Sequence, residues 1–128
     1  MYRKLLIIIA FFFAPLSASA APFDAGLGAF DREHYATAFR AWKEMAETGV
    51  AQAQNNIGYL YEYGRGVKQS YADAIEWYSK AAEQDLPEAH HNLGMLAFYG
   101  YGMRQDYVAA KRFFTAAAEL EQADSMYM

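Results

Sequence analysis

Displaced by 36 residues, the sequence falls on itself without a gap. Ala53, Asn56, Gly58 and Leu60 meet Ala89, Asn92, Gly94 and Leu96. Tyr63, Gly64, Gly66, Gln69 and Tyr71 then meet Tyr99, Gly100, Gly102, Gln105 and Tyr107, and Ala74, Ala81, Ala82 and Glu83 meet Ala110, Ala117, Ala118 and Glu119. These are 13 identities over the 32 positions from Ala53 to Gln84. Ile57 to Leu93, Val67 to Met103, Lys68 to Arg104 and Trp77 to Phe113 keep the chemistry. A period of this length belongs to stacked supersecondary units, each burying its apolar face against the next.

Within a unit the apolar positions recur at helical spacing. Ala53, Ile57, Leu60 and Tyr61 predict a first helix from about Val50 to Tyr63, and Ala74, Tyr78, Ala81 and Ala82 a second from about Tyr71 to Gln84. Ser70 and Asp106 stand at N-cap positions, and Asp73, three residues after Ser70, fits a capping box. Pro87 suits the first turn of the next helix, where its missing N–H is no loss. Gly58 and Gly94 fall in mid-helix, where glycine costs about 1 kcal/mol relative to alanine. The same cost in both units predicts close approach of a partner helix carrying Trp77 and Tyr78, or Phe113 and Phe114.

The residues Ala53 to Gln84 resemble a Sel1-like repeat, one of the tetratricopeptide-type helical repeats. The resemblance lies in Ile57-Gly58 and Leu93-Gly94, the turn Gly64 to Val67, and the run Trp77 to Ala82, and it covers Ala51 to about Leu120. An earlier stretch, Gly26 to Gly49, resembles a degenerate unit with a shortened turn, in which Tyr35, Ala38, Trp42 and Ala46 take second-helix positions. Ala97, where the repeat usually carries the tyrosine seen at Tyr61, and Met103 in place of valine depart from the pattern. The resemblance implies an all-α, α-α repeat solenoid: a degenerate N-terminal repeat over 21–48, full repeats over 49–85 and 86–121, and a partial capping helix over 122–128. The apolar Met126, Tyr127 and Met128 at that end leave docking back, self-association or a truncated array all open.

The glycine-rich stretch Tyr63 to Tyr71 has the composition of a phosphate loop but not its context, since no strand precedes it and no G-x-x-x-x-G-K-[ST] spacing is present. Its recurrence at Tyr99 to Tyr107, with Tyr101 in place of Arg65, fits a helix-to-helix turn. No G-x-S-x-G elbow occurs, and Ser70, Ser79 and Ser125 have no histidine nearby in sequence. His90 and His91 are adjacent, not spaced i, i+4 as helical zinc sites require, and Glu88 with His91 offers only two ligands. Glu44 and Glu47 read as a solvated helix face. No enzyme activity, cofactor or metal is expected. Some exported Sel1-like proteins are cysteine-rich and associated with β-lactam recognition, but this chain has no cysteine and none of that carries over.

Residues 1–20 have the layout of a cleavable secretory signal. Arg3 and Lys4 precede the apolar run Leu5 to Phe13, and Ala18 and Ala20 are the small residues before a cut between Ala20 and Ala21. The run is shorter than the roughly 20 residues that span a bilayer. Cleavage leaves 9 Lys and Arg against 15 Asp and Glu, a formal charge of −6, which disfavours nucleic acid and anionic lipid. A periplasmic or secreted location is expected, with no membrane span after cleavage.

In the usual arrangement of such solenoids the first helices line a concave face. Its exposed positions here would be Gln52, Asn55, Tyr59, Glu62 and Tyr63, then Glu88, His91, Met95, Phe98 and Tyr99. Among them Tyr59, Tyr63, Met95, Phe98 and Tyr99 would form an aromatic patch of the kind that binds partners. The expected function is a non-enzymatic scaffold or adaptor of the bacterial cell envelope that binds a protein or peptide there. The alternative is an envelope small-molecule or cell-wall binding protein or hydrolase, which a cleft with convergent polar groups would favour.

Overall fold

The computed structural model describes residues 20–127. The leader expected over residues 1–20 lies outside them, save for Ala20. Six α-helices make up the regular structure among the described residues: α1 (Ala20–Asp31), α2 (Tyr35–Glu47), α3 (Ala51–Tyr63), α4 (Tyr71–Glu83), α5 (Pro87–Tyr99) and α6 (Tyr107–Met126). Each packs chiefly on its neighbours in sequence. The units are therefore α1–α2, α3–α4 and α5–α6, stacked in chain order.

Helix ends follow from local chemistry. Ser70 Oγ accepts from the amide of Asp73 at 3.2 Å and Asp106 Oδ1 from that of Ala109 at 2.9 Å, giving α4 and α6 their N-caps. The expected capping box does not close, because the Ser70 amide donates to the Tyr61 carbonyl at 2.9 Å and is not free for Asp73. Gly64 and Gly100 end α3 and α5 in the left-handed conformation, at φ 63° and 71°. Gly66 and Gly102 repeat it two residues later, and a Cβ on Gly66 would overlap the Tyr35 backbone. The glycine-rich stretch is thus a turn, seated on the start of the preceding unit's second helix.

The buried residues show how the units interlock. One cluster joins Ala29, Ala38, Trp42, Ala46, Ala53, Ile57 and Leu60, and a second joins Ala74, Tyr78, Ala81, Ala82, Ala89, Leu93 and Leu96. Trp42, Tyr78 and Phe114 are spaced by 36 and each meets a first-helix glycine: Gly26, Gly58 and Gly94 respectively. It is Tyr78 and Phe114, rather than Trp77 and Phe113, that need the room. Gly26 precedes Gly58 by 32 residues instead of 36 because the turn from Arg32 to His34 is four residues shorter than that from Gly64 to Ser70. That is the shortened turn of the degenerate unit.

The last helix runs unbroken to Met126 instead of ending near residue 121. At the equivalent place in the preceding unit the chain breaks at Asp85, with φ 60°, and restarts at Pro87. Glu121 and Ala123 stand there in α6, and both favour helix.

Candidate functional site

The first helices α1, α3 and α5 leave two grooves between them. The earlier groove, about 320 Å³, is lined by Leu27, Phe30, Trp42, Asn55, Asn56 and Tyr59. At its rim the Arg65 guanidinium lies 5.1, 5.6 and 5.7 Å from the ring centroids of Tyr35, Tyr59 and Tyr63, and donates to the Tyr59 hydroxyl at 3.0 Å. The later groove, about 210 Å³, is lined by Glu62, Tyr63, His91, Asn92, Met95, Tyr99 and Tyr101.

The later groove owes its polar floor to two contacts. Tyr78, buried under Gly58, donates its hydroxyl to Glu62 Oε2 at 2.6 Å. Asn92 Nδ2 donates to Asn55 Oδ1 at 3.0 Å and ties α5 to α3. Burial pushes the Glu62 carboxyl above its ordinary pKa, an effect that the Tyr78 hydrogen bond partly offsets. The Tyr63 phenol is raised too, chiefly by the neighbouring Glu62 charge, and the Tyr78 phenol by burial and then by the Glu62 carboxylate. On the rim Tyr101 stacks on Tyr71 at 5.3 Å and on Tyr99 at 5.5 Å.

Of the ten residues expected on this face, Glu62, Tyr63, His91, Met95 and Tyr99 meet in the later groove. Tyr59 belongs to the earlier one. Asn55 is not exposed but 7 % accessible, because it is the bridge to Asn92. Gln52 is half-buried and Glu88 exposed, and neither lines a groove. Phe98 faces the other way, into a surface depression of about 530 Å³ along α6 that also includes Tyr107 and Phe114. The single aromatic patch is therefore divided. Asn92, Arg65 and Tyr101 are the residues that the sequence reading left out, although the 36-residue shift had paired Arg65 with Tyr101.

No group of three or more His, Cys, Asp or Glu residues converges to hold a metal among the described residues. His90 lies against Phe113 and His91 against Phe114. No described helix is long and apolar enough to cross a membrane.

The model of the Sel1 repeat matches residues 51–86 and again 87–121, more than half of the chain. The chain belongs to the Sel1 repeat family. Two solved structures share this architecture. A protective antigen present in uropathogenic Escherichia coli strains, displaying an SLR fold, superposes with a TM-score of 0.74 at 34% identity, covering 83% of this chain and 24% of its own. A Sel1 repeat protein from Oxalobacter formigenes gives a TM-score of 0.73 at 31% identity, covering 88% of this chain and 48% of its own. The chain thus spans about a quarter and about a half of the lengths of these Sel1 relatives. Among curated proteins none matches. The Sel1 units coincide with α3–α4 and α5–α6, so the later groove lies between two full Sel1 repeats.

Proposed function

We propose that this Sel1-repeat protein is a non-enzymatic interaction scaffold of the bacterial cell envelope, periplasmic or secreted, which binds a protein or peptide along the concave face of its first helices. The observation that carries this reading is the groove between α3 and α5, where Tyr63, Tyr99, Tyr101 and Met95 surround Glu62. Tyrosine supplies large contact area and a polar tip, and it is over-represented among residues that dominate binding. The export part of the proposal is supported by the basic, apolar and small-residue order of residues 1–20.

The convergence of Glu62, His91 and Asn92 also suits a small-molecule binder. Size favours the first. Small-molecule pockets usually measure about 300–1,000 Å³, and this one is about 210 Å³. A side chain of a larger partner fits such a space better than a free metabolite.

The reading is tested by in-cell photo-crosslinking from Tyr59 or Met95, with Glu76 on an exposed second-helix face as control. A discrete protein adduct from the first two positions and none from the third is expected. Crosslinks only to further copies of the chain would replace the scaffold with self-assembly, and an absence of protein adducts would transfer the proposal to a small ligand. The mass of the protein recovered from the envelope fraction checks export, with a chain starting at Ala21 expected.

A further inference from the structure

The two grooves are repeat equivalents with their charges exchanged. On the first-helix register of 32 residues, Phe30 in α1 corresponds to Glu62 in α3, and on the 36-residue register Arg65 corresponds to Tyr101. Tyr35, over which Arg65 lies, corresponds to Tyr71, on which Tyr101 stacks. The earlier groove is thus an apolar pocket whose aromatic rim already holds a guanidinium from the chain itself. The later groove has a carboxylate where the earlier has a phenyl ring, and a phenol where the earlier has the cation.

The carboxylate is incomplete. Tyr78 satisfies Oε2, whereas Oε1 accepts no hydrogen bond from the described residues, and no Lys or Arg among them pairs with Glu62. Oε1 stays open to solvent, so a guest cation can meet it without displacing Tyr78. The rings beside it offer the faces to which a cation is drawn. The acidic balance of the sequence, 15 Asp and Glu against 11 Lys and Arg, favours the approach of a basic segment.

We infer that the groove between α3 and α5 receives an arginine side chain of the partner, its guanidinium on Glu62 between the rings of Tyr63 and Tyr99. Arginine is preferred to lysine because a planar fork both stacks on rings and donates to a carboxylate oxygen, as a point ammonium does not. In the neighbouring groove the equivalent place is taken by a guanidinium of the chain itself, Arg65, which three tyrosines surround. The inference rests on reading the first-helix face as a partner surface, and it supplies the partner's chemistry.

The test is an NMR titration of the full chain with the capped pentapeptide Ala-Ala-Arg-Ala-Ala and its counterparts carrying citrulline or lysine in place of arginine. Ring signals of Tyr63, Tyr99 and Tyr101 should move saturably with the arginine peptide and about tenfold more weakly with citrulline, which keeps the shape but not the charge. Glu62→Gln, whose amide oxygen still accepts from Tyr78, should lose the preference, whereas Glu88→Gln should keep it. Tyr101→Arg restores the chain's own cation, as in the earlier groove, and should block the peptide. Equal binding of arginine and citrulline, an unchanged affinity in Glu62→Gln, or shifts confined to α6 would each overturn the inference. A partner that crosslinks from Met95 equally well in Glu62→Gln leaves the scaffold standing and removes the arginine. Peptide binding without any protein crosslink does the reverse.

Discussion

Replacing Gly58 by alanine sets two effects of known size against each other. In an exposed helix the change stabilises by about 1 kcal/mol, because alanine restricts the unfolded backbone and suits the helix. At Gly58 the new Cβ would lie 2.6 Å from Cδ1 and 2.7 Å from Cε1 of Tyr78. That ring has 0 % exposure and its hydroxyl is held by Glu62, so it has no free direction in which to move. Overpacking of this kind costs about 1–3 kcal/mol, and disturbing a hydrogen bond to a charged group adds about 1.5–3 kcal/mol. The expected net effect is a loss of about 1.5–5 kcal/mol after the helix gain is subtracted, read from urea or thermal unfolding. Two further substitutions calibrate it. Gly28→Ala, whose nearest neighbour is the flexible tip of Arg32 at 3.7 Å, should show the bare helix gain. Gly94→Ala, against the only half-buried Phe114, should fall between the two. Tyr78→Leu should cancel most of the Gly58→Ala penalty in a double-mutant cycle. A Gly58→Ala protein as stable as Gly28→Ala would refute close packing as the reason for the glycine.

Ser70→Ala and Asp106→Ala each remove a side-chain acceptor from a helix N-terminus, and each should cost about 0.5–2 kcal/mol by chemical denaturation. Arg65→Ala removes a cation from three ring faces and a donor from Tyr59, for an expected loss of about 1–2 kcal/mol; an unchanged unfolding midpoint would show that the guanidinium is merely resting on the surface. Because burial raises the Glu62 pKa in the folded state, the folded chain holds that proton to higher pH than the unfolded chain does. Stability relative to Glu62→Gln should therefore be greatest below the ordinary carboxylate pKa and fall as pH rises through the raised one, then level off. A difference that grows with pH would contradict the burial of this carboxylate.

Most of the fold was legible because repetition converts a local pattern into a test of itself. One glycine in a helix says little, but Gly58 and Gly94 at one register position pointed to a packed ring, and Tyr78 and Phe114 are those rings. The same logic fixed the N-caps, the glycine turn and the second-helix register of Tyr35, Ala38, Trp42 and Ala46. It failed where the answer depends on which of two competing acceptors takes a donor. Ser70 and Asp73 have the spacing of a capping box, yet the Tyr61 carbonyl from the preceding helix takes the Ser70 amide, and nothing in the local sequence announces that.

The site was less legible for a related reason. A first-helix position can face a groove, a neighbouring unit or the end of the stack, and helical spacing alone does not choose among them. Asn55 and Phe98 shared a face with Tyr63 on the helical pattern, but one became an inter-unit bridge and the other turned toward α6. What distinguishes a binding groove is departure from the repeat rather than agreement with it. Where the units agree, residues serve the stacking that every unit needs. Where they differ in charge, as Phe30 from Glu62 and Arg65 from Tyr101, stacking does not require the change, and on the proposed reading the groove without its own cation is the one a partner fills. On that reading, the positions that broke the pattern, and not those that made it recognisable, carry the specificity of this surface.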